Sequence, residues 1–143
     1  MIANQMRTNQ LGLAATAWYL GFLDAVEAKD IGRVADYLAD DVDMRIIDAP
    51  SIEGKAAVVE QLGRQWRQFE GVTHEVLNIL GSDTGFVSES LHHYARHDGT
   101  RMTARAAVFT GRSVEGTVAS IRIYSDGLPV SPGLPNHRRE GIR

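Results

Sequence analysis

The sequence contains no cysteine, and this absence excludes several kinds of chemistry. Disulfides, thiolate metal ligands and cysteine nucleophiles are all ruled out. Histidine occurs five times, but without a zinc-binding spacing or an HExxH motif, so the sequence predicts no metal site. Proline is scarce as well. Three of the four prolines fall within residues 129–135, so we expect an irregular tail over residues 127–143.

An excess of positive charge is also lacking, since the formal net charge is −3 and the isoelectric point is near 5.9. A broad electrostatic footprint for nucleic acid is therefore not expected. No GxGxxG, Walker or GxSxG motif occurs, which argues against nucleotide cofactors and serine hydrolase chemistry. The sequence predicts a protein that works without a cofactor.

One apolar run, at residues 11–23, follows Arg7 in the manner of a short signal-peptide core. The run is well short of the roughly 20 residues that a membrane span requires. Its pattern continues to Glu27 without a small-x-small cleavage site. We therefore interpret it as a first amphipathic helix, and expect a cytoplasmic protein that does not bind membranes.

Hydrophobic periodicity predicts one domain over residues 11–126, preceded by a flexible N-terminus at residues 1–10. Helical spacing of apolar residues comes first along the chain, and strand-like patterns dominate after it. The predicted helices are residues 9–29, 31–41 and 55–69, and the predicted strands are residues 42–48, 73–80, 86–97, 101–112 and 117–124. Helices followed by an antiparallel meander indicate an α+β domain with its helices on one face of a curved sheet.

Four segments carry a family resemblance: LADDVDMRIID after the second helix, IEGKAAVVEQL at the start of the third, the hairpin HHYARHDGTRMTARAAVF and the closing strand VASIRIYSDGLP. Their order and spacing resemble the SnoaL-like, ketosteroid-isomerase-like members of the nuclear-transport-factor-2-like superfamily. The resemblance implies a cone-shaped α+β barrel, in which three N-terminal helices pack on a curved, mainly antiparallel sheet and enclose one pocket. It also implies a homodimer. The reaction stays open, because members include ketosteroid isomerases, polyketide cyclases, epoxide hydrolases, dehydratases and binding modules.

The dipeptide Asp98-Gly99 between two alternating runs predicts a hairpin with a two-residue turn. This register places His92 opposite Arg105 and divides the hairpin into a polar face and an apolar face. The polar face carries Ser88, Ser90, His92, Tyr94, Thr103, Arg105 and Phe109, and the apolar face carries Val87, Leu91, Ala95, Ala104, Ala106 and Val108. Alignment with the ketosteroid isomerases turns Phe109 toward the cavity. The resemblance therefore implies that the polar face lines the pocket and that the apolar stripe is a dimer surface.

Asp48 is the candidate general base. It follows Met44 and Ile46 in the alternation of a strand, so we expect it to point inward, where an apolar wall raises the pKa of a carboxylate. The resemblance puts it near the isomerases' catalytic aspartate, after two extra residues. The alternative is a strand-end aspartate that caps the turn at Ala49.

Three further side chains are candidates for catalysis. The resemblance aligns Tyr19 with the isomerases' oxyanion tyrosine, and a core aromatic is the alternative. That family's second oxyanion donor, an aspartic acid, corresponds here to Ala107, so we expect no ketosteroid isomerase activity. His92 and Arg105 together could replace the missing donor, and a partly exposed edge pair is the alternative.

Two hypotheses about function follow. The first is a cofactor-free enzyme of the isomerase, cyclase or dehydratase type, which moves protons on a small apolar carbonyl compound. Asp48 would be its base, Tyr19 and His92 the hydrogen-bond donors, and Arg105 the anion stabiliser. The second is a non-catalytic module of the same fold that binds a small apolar organic ligand or dimerises. The expected substrate-binding residues are Trp18, Phe22, Trp66, Ser90, Tyr94 and Phe109.

Overall fold

The computed structural model describes residues 1–129, which form three helices and seven strands. The helices are α1 (Leu13–Glu27), α2 (Ile31–Tyr37) and α3 (Lys55–Trp66). The strands are β1 (Arg7–Asn9), β2 (Leu38–Ile46), β3 (Ile52–Glu53), β4 (Gly71–Ser82), β5 (Gly85–Ala95), β6 (Arg101–Arg112) and β7 (Val118–Ser125). In this part of the chain no helix is long and apolar enough to cross a membrane. Residues 130–143 of the predicted irregular tail lie outside the described residues.

All seven strands join one open, mixed sheet in the order β1-β4-β5-β6-β7-β2-β3. Strand β1 pairs with β4 and β2 with β7 in parallel, and the other neighbours are antiparallel. The helices pack on one side of the sheet, which we call the inner face; the opposite side is the outer face. The core between them is apolar and includes the fully buried Leu38, Met44 and Ile79. This architecture confirms the predicted α+β class.

Helix α2 begins as predicted and ends earlier than predicted. The carboxylate of Asp30 accepts the backbone N–H of Arg33 at 3.1 Å, which is the expected N-cap. The helix ends at Tyr37 rather than at residue 41. The following Leu38 is extended and pairs with Val118 of β7, so strand pairing replaces the last helical turn.

The N-terminal segment, predicted to be flexible, is paired with the edge of β4. The N–H of Ile2 donates to the His74 carbonyl at 2.8 Å, and the Ile2 carbonyl accepts the N–H of Val76 at 2.9 Å. Strand β1 continues along the same edge, with Arg7 opposite Asn78. The prediction of fraying is wrong because the backbone of an edge strand needs partners, and a short polar segment can supply them.

The β5–β6 hairpin has a three-residue loop rather than the predicted two-residue turn. The N–H of Gly99 donates to the Arg96 carbonyl at 3.1 Å, and the N–H of Arg96 donates to the Thr100 carbonyl at 2.9 Å. Because Gly99 has a φ of 83°, the loop is a turn closed by a left-handed glycine. The pairing is shifted by one residue from the predicted register, and Ala104 lies opposite His92.

This shift moves every β6 side chain to the face opposite to the predicted one, since neighbouring residues of a strand point to opposite faces. The β5 side chains on the inner face are, as predicted, Ser88, Ser90, His92 and Tyr94. The β6 side chains on the inner face are Ala104, Ala106 and Val108, and those on the outer face are Thr103, Arg105 and Phe109. The predicted apolar dimer stripe is therefore wrong, because its β5 residues lie on the outer face and its β6 residues lie on the inner face, on the same side as the helices.

Candidate functional site

A buried polar contact joins helix α1 to strand β5 on the inner face. The hydroxyls of Tyr19 and Ser88 lie 2.7 Å apart, and both side chains are buried. The Tyr19 ring packs edge-on against Phe86, with centroids 4.9 Å apart. Burial raises the pKa of Tyr19 to about 12 and outweighs the opposing effect of the Ser88 hydrogen bond. Tyr19 therefore stays protonated at neutral pH and can donate a hydrogen bond.

A second buried polar contact lies next along the inner face of β5. His92 Nε2 and Ser90 Oγ are 3.0 Å apart, and which atom donates depends on the histidine tautomer. Burial, together with the smaller effects of the His74 and His93 charges, lowers the pKa of His92 to about 3. His92 is consequently an uncharged imidazole at pH 7.

A carboxylate–imidazole pair lies beside His92. The rings of His74 and His92 pack edge to face, with centroids 4.7 Å apart. Glu27 Oε1 accepts the backbone N–H of His74 at 2.7 Å and lies 3.1 Å from its Nδ1, while Glu27 Oε2 accepts from the Met1 amino group at 2.6 Å. Burial raises the pKa of Glu27, but the interactions with His74 and the amino group outweigh it and lower the value to about 2. Glu27 is therefore ionised at neutral pH.

Neither member of this pair was singled out by the sequence patterns, although each carries a signal. Glu27 follows Tyr19 by eight residues, which places both on one face of α1. His74 alternates with the buried Val72 and Val76 on β4, and so shares their face. The sequence does not reveal that the two residues meet, because 47 positions separate them.

An aromatic wall lies next to the buried polar contacts, at and just beyond the C-terminal end of α3. We call it the α3 wall; it consists of Trp66, Phe69 and the neighbouring Tyr94 of β5. Lys29 Nζ donates to the carbonyls of Trp66 and Phe69, both at 2.8 Å, and lies 5.0 Å from the Phe69 ring centre. Phe69 packs against Tyr94 of β5 with centroids 5.1 Å apart. Burial raises the pKa of Tyr94 to about 12. The wall therefore combines buried apolar rings with one neutral phenol.

The helices do not cover the inner face completely. Val108, which lies opposite Ser88, is only half-buried. The other inner side chains that remain half-buried in this region are Tyr94 of the α3 wall, Met102 opposite it on β6, and Ile123 on β7. Leu128, which follows β7, packs at the margin of the same core. The buried polar contacts are thus bordered by apolar side chains that solvent can reach.

Asp48 lies on an exposed turn and does not point inward. Strand β2 ends at Ile46, and the next residue, Ile47, adopts a φ of 55°. The N–H of Ala49 then donates to the Ile46 carbonyl at 3.0 Å, which closes a tight turn. The alternation that predicted an inward carboxylate is interrupted by the left-handed Ile47, so the predicted placement of the base is wrong.

Arg105 and Phe109 lie on the outer face, on the side of the sheet opposite to His92. The backbone N–H of Arg105 donates to Asp126 Oδ1 at 2.7 Å, and the Arg105 side chain is exposed. Phe109 is 47% exposed and packs edge-on against Tyr124 with centroids 5.9 Å apart. The predicted His92–Arg105 pair is therefore not formed, and Phe109 does not line the inner face.

The family model that describes the SnoaL-like domain matches residues 19–121 of the 143. The chain belongs to the SnoaL-like domain family. A search of the curated proteins finds no significant match to it.

Solved structures share the fold of this SnoaL-like domain but little of its sequence. Rv0760c from Mycobacterium tuberculosis, in complex with estradiol-17β-hemisuccinate, is 18% identical with a TM-score of 0.68, over 77% of this chain and 92% of that chain. An LEH-like epoxide hydrolase from M. tuberculosis is 19% identical with a TM-score of 0.68, over 78% and 82%. TerC, co-crystallised with polyporic acid, is 13% identical with a TM-score of 0.69, over 78% and 91%. At these identities the likeness establishes the fold alone.

Two predicted substrate-binding aromatics of the SnoaL-like domain belong to a cluster between α1 and α2. Trp18 stacks on Phe22 with centroids 6.5 Å apart and meets Tyr37 edge-on at 5.8 Å. The guanidinium of Arg112 lies over the Trp18 ring at 4.8 Å. Because helix packing accounts for both rings, Trp18 and Phe22 support a substrate-binding role less than the α3 wall does.

Two carboxylate–histidine pairs lie within residues 1–129, one on each face of the sheet. Glu27 meets His74 on the inner face, and Glu75 Oε2 lies 2.8 Å from His93 Nε2 on the outer face. Within residues 1–129, however, no three His, Asp or Glu side chains come together as metal ligands would.

Proposed function

We propose that this SnoaL-like domain binds a small, largely apolar molecule through a carbonyl or hydroxyl oxygen at the inner face. The observation that carries the proposal is the pair of buried polar contacts, Tyr19 with Ser88 and Ser90 with His92, at the margin of a largely apolar core. Such contacts hold uncharged donors and acceptors in place before a ligand arrives.

The spacing of these contacts suits a ligand of modest size. Ser88, Ser90 and His92 alternate along one strand, so successive members lie roughly 6.7 Å apart. A ring-sized molecule at the Tyr19–Ser88 contact would therefore lie against Val108, and one at the Ser90–His92 contact would lie nearer Tyr94. Because the contacts are uncharged at neutral pH, they favour a neutral oxygen over a carboxylate, whose burial without a counter-charge is costly.

Two structural neighbours lend support, since they were crystallised with organic molecules. Rv0760c holds estradiol-17β-hemisuccinate and TerC was co-crystallised with polyporic acid. These two compounds and the small apolar ketone 2-tetralone are therefore suitable probes for the domain.

Replacing Tyr19 by Phe tests the proposal while keeping the ring in the core. Binding of the three probes is measured from the quenching of tryptophan fluorescence, with calorimetry for any probe that binds. We expect Y19F to weaken binding of at least one probe by about 5- to 10-fold, the usual effect of losing one hydrogen bond. Y124F is the matched control, because Tyr124 lies on the outer face. The absence of binding by all three probes, or equal losses in both variants, would refute the proposed site.

A second candidate is a proton-transfer enzyme acting on an apolar carbonyl compound, as an isomerase, cyclase or dehydratase does. The observation that favours it is the uncharged state of Tyr19 and His92, because neutral donors can stabilise the oxygen of a developing enolate. Asp48 and Arg105 are not available to this reaction on the inner face. The candidate therefore requires another base.

We also propose a homodimer formed through the outer face rather than through the predicted stripe. Three of the large exposed hydrophobic residues lie together there: Leu80, Phe109 and Tyr124. A depression of about 420 Å³ runs beside them, lined in part by Leu91, Ala107 and Tyr124. Apolar surface of this kind usually marks a contact with another molecule.

The cytoplasmic location of the protein stays a prediction.

A further inference from the structure

A proton-transfer reaction on the inner face needs a base, and the Glu27–His74 pair lies where one is required. The exposed fractions of the two side chains are only 15% and 10%. His74 is directly opposite His92 in the β4–β5 pairing, with ring centroids 4.7 Å apart. The pair thus lies beside the donors of the proposed ligand site.

The carboxylate of Glu27 decides which nitrogen of His74 is available. An ionised carboxylate can only accept hydrogen bonds, and Glu27 Oε1 is 3.1 Å from Nδ1, so Nδ1 carries the proton of the neutral imidazole. The lone pair is then on Nε2. No hydrogen bond within residues 1–129 engages that atom. Nε2 is therefore the nitrogen that can accept a proton.

We propose that His74 is the general base of this domain, that Glu27 is its positioning residue, and that the substrate is a small apolar ketone. The inference rests on the proposed small-molecule site and goes beyond it by assigning a reaction. It follows the arrangement in which a carboxylate fixes the tautomer of a catalytic imidazole.

The step balances without a cofactor. A ketone oxygen that accepts a hydrogen bond from His92 or Ser90 has its α-carbon next to His74. Nε2 takes a proton from that carbon, the C–H electron pair becomes the C=C bond of the enolate, and the carbonyl π pair moves to the oxygen that the donor holds. The imidazolium then returns a proton to carbon, so nothing is oxidised or reduced.

The tautomer of His74 can be measured without any substrate. Long-range ¹H–¹⁵N correlation spectra of the wild-type protein, with His74 assigned from its absence in H74Q, report which ring nitrogen is protonated. We expect Nδ1–H. E27Q removes the carboxylate that holds the proton on Nδ1 and should lower the Nδ1–H fraction of the neutral His74 imidazole.

E75Q is the matched control for E27Q. Glu75 Oε2 lies 2.8 Å from Nε2 of His93 on the outer face, so this variant also removes a histidine-bound carboxylate but should leave the His74 spectrum unchanged. A neutral His74 protonated at Nε2 in the wild-type protein, or an identical response to E27Q and E75Q, would overturn the proposal.

The reaction itself is tested by the exchange of 2-tetralone α-protons for deuterium in D₂O, followed by ¹H NMR. We expect the wild-type protein to accelerate exchange over buffer, and H74Q to lose roughly 100-fold of that rate while still binding 2-tetralone. E27Q should retain an intermediate rate. H97Q, in the exposed hairpin loop, should exchange as fast as the wild type.

The outcomes separate this inference from the proposed function. If 2-tetralone binds but its exchange is not accelerated, or if H74Q exchanges at the wild-type rate, His74 is not the base and the binding site stands. If none of the three probes binds, the proposed function fails. Should H74Q prove unfolded by circular dichroism, the exchange rate of E27Q and the wild-type tautomer decide.

Discussion

At the scale of single residues, burial determines protonation, and protonation determines what the inner face can bind. Burial holds the pKa of Tyr19 and of Tyr94 near 12, and lowers that of His92 to about 3. These side chains are therefore uncharged across the physiological range. The ionised Glu27 is offset by the Met1 amino group at 2.6 Å and by its hydrogen bonds to His74.

The lowered pKa of His92 predicts a loss of stability on mild acidification. The unfolded chain takes up a proton at this histidine near pH 6.5 and the folded protein near pH 3, so a fall in pH from 7 favours the unfolded state. Glu27 adds its own loss only below about pH 4.5, because its pKa falls from 4.5 to about 2 on folding. Between pH 7 and pH 5 we expect His92 to cost about 2 kcal/mol in the free energy of unfolding.

Urea denaturation at pH 7 and at pH 5 measures this effect. H92Q should lose most of the pH dependence in that interval, whereas H97Q, which changes an exposed loop histidine, should keep it. The same difference between the two pH values in wild type and H92Q would rule out His92 as its cause.

The misplaced Asp48 shows what side-chain alternation cannot predict at this scale. A left-handed φ of 55° is rare for a β-branched residue such as Ile47. Glycine or asparagine at this position would have indicated such a backbone, but the sequence has neither. Tyr19, by contrast, is selected through the family resemblance rather than through alternation, and its side chain is buried in the core. The contact between Glu27 and His74 depends on how α1 crosses β4, and so appears only in the folded chain.

At the scale of elements, periodicity predicts type and extent well, but it does not predict register. The predicted strand at residues 101–112 coincides with β6, yet every side chain on it was assigned to the wrong face. An Asp-Gly dipeptide fits a two-residue turn and also the last two positions of a three-residue loop. Asp98 favours the longer loop, since its carboxylate accepts the N–H of Thr100 at 2.9 Å and the Thr100 hydroxyl at 2.6 Å.

Replacing Gly99 by Ala tests the left-handed backbone with which this loop closes. A Cβ at Gly99 would meet nothing within 4 Å, so its cost is the left-handed backbone alone, at φ +83°. We expect G99A to lower the free energy of unfolding by about 1 kcal/mol, and G99N by less, because asparagine tolerates this conformation.

Chemical denaturation of G99A, G99N and G85A provides the comparison. Gly85 begins β5, lies outside the left-handed region and has equal room for a Cβ, so G85A should not destabilise the protein as G99A does. Equal losses in G99A and G85A would contradict a left-handed backbone at Gly99.

At the scale of the whole molecule, the two faces of the sheet have different roles. The inner face is largely covered by helices and holds the candidate site, while the outer face exposes apolar side chains between groups of opposite charge. Glu75 and Glu89 lie on the β4–β5 half, and Arg105 and Arg122 lie on the β6–β7 half. A two-fold axis that runs along the strands, in the plane between two copies, would bring the acidic half of each copy over the basic half of the other.

The outer face therefore predicts a homodimer, and one charged side chain introduced into that face should dissociate it. Sedimentation velocity at micromolar concentration should find wild-type dimers, and F109D should weaken association by at least about 30-fold, as the loss of a central aromatic contact does. L13D is the matched control, because Leu13 is 92% exposed at the start of α1, away from the sheet. Since Phe109 points away from the inner face, monomeric F109D should still bind the probes with wild-type affinity. A monomeric wild-type protein, or equal dissociation of F109D and L13D, would show that this face does not join two copies. Loss of probe binding by F109D would show that the two faces are not independent.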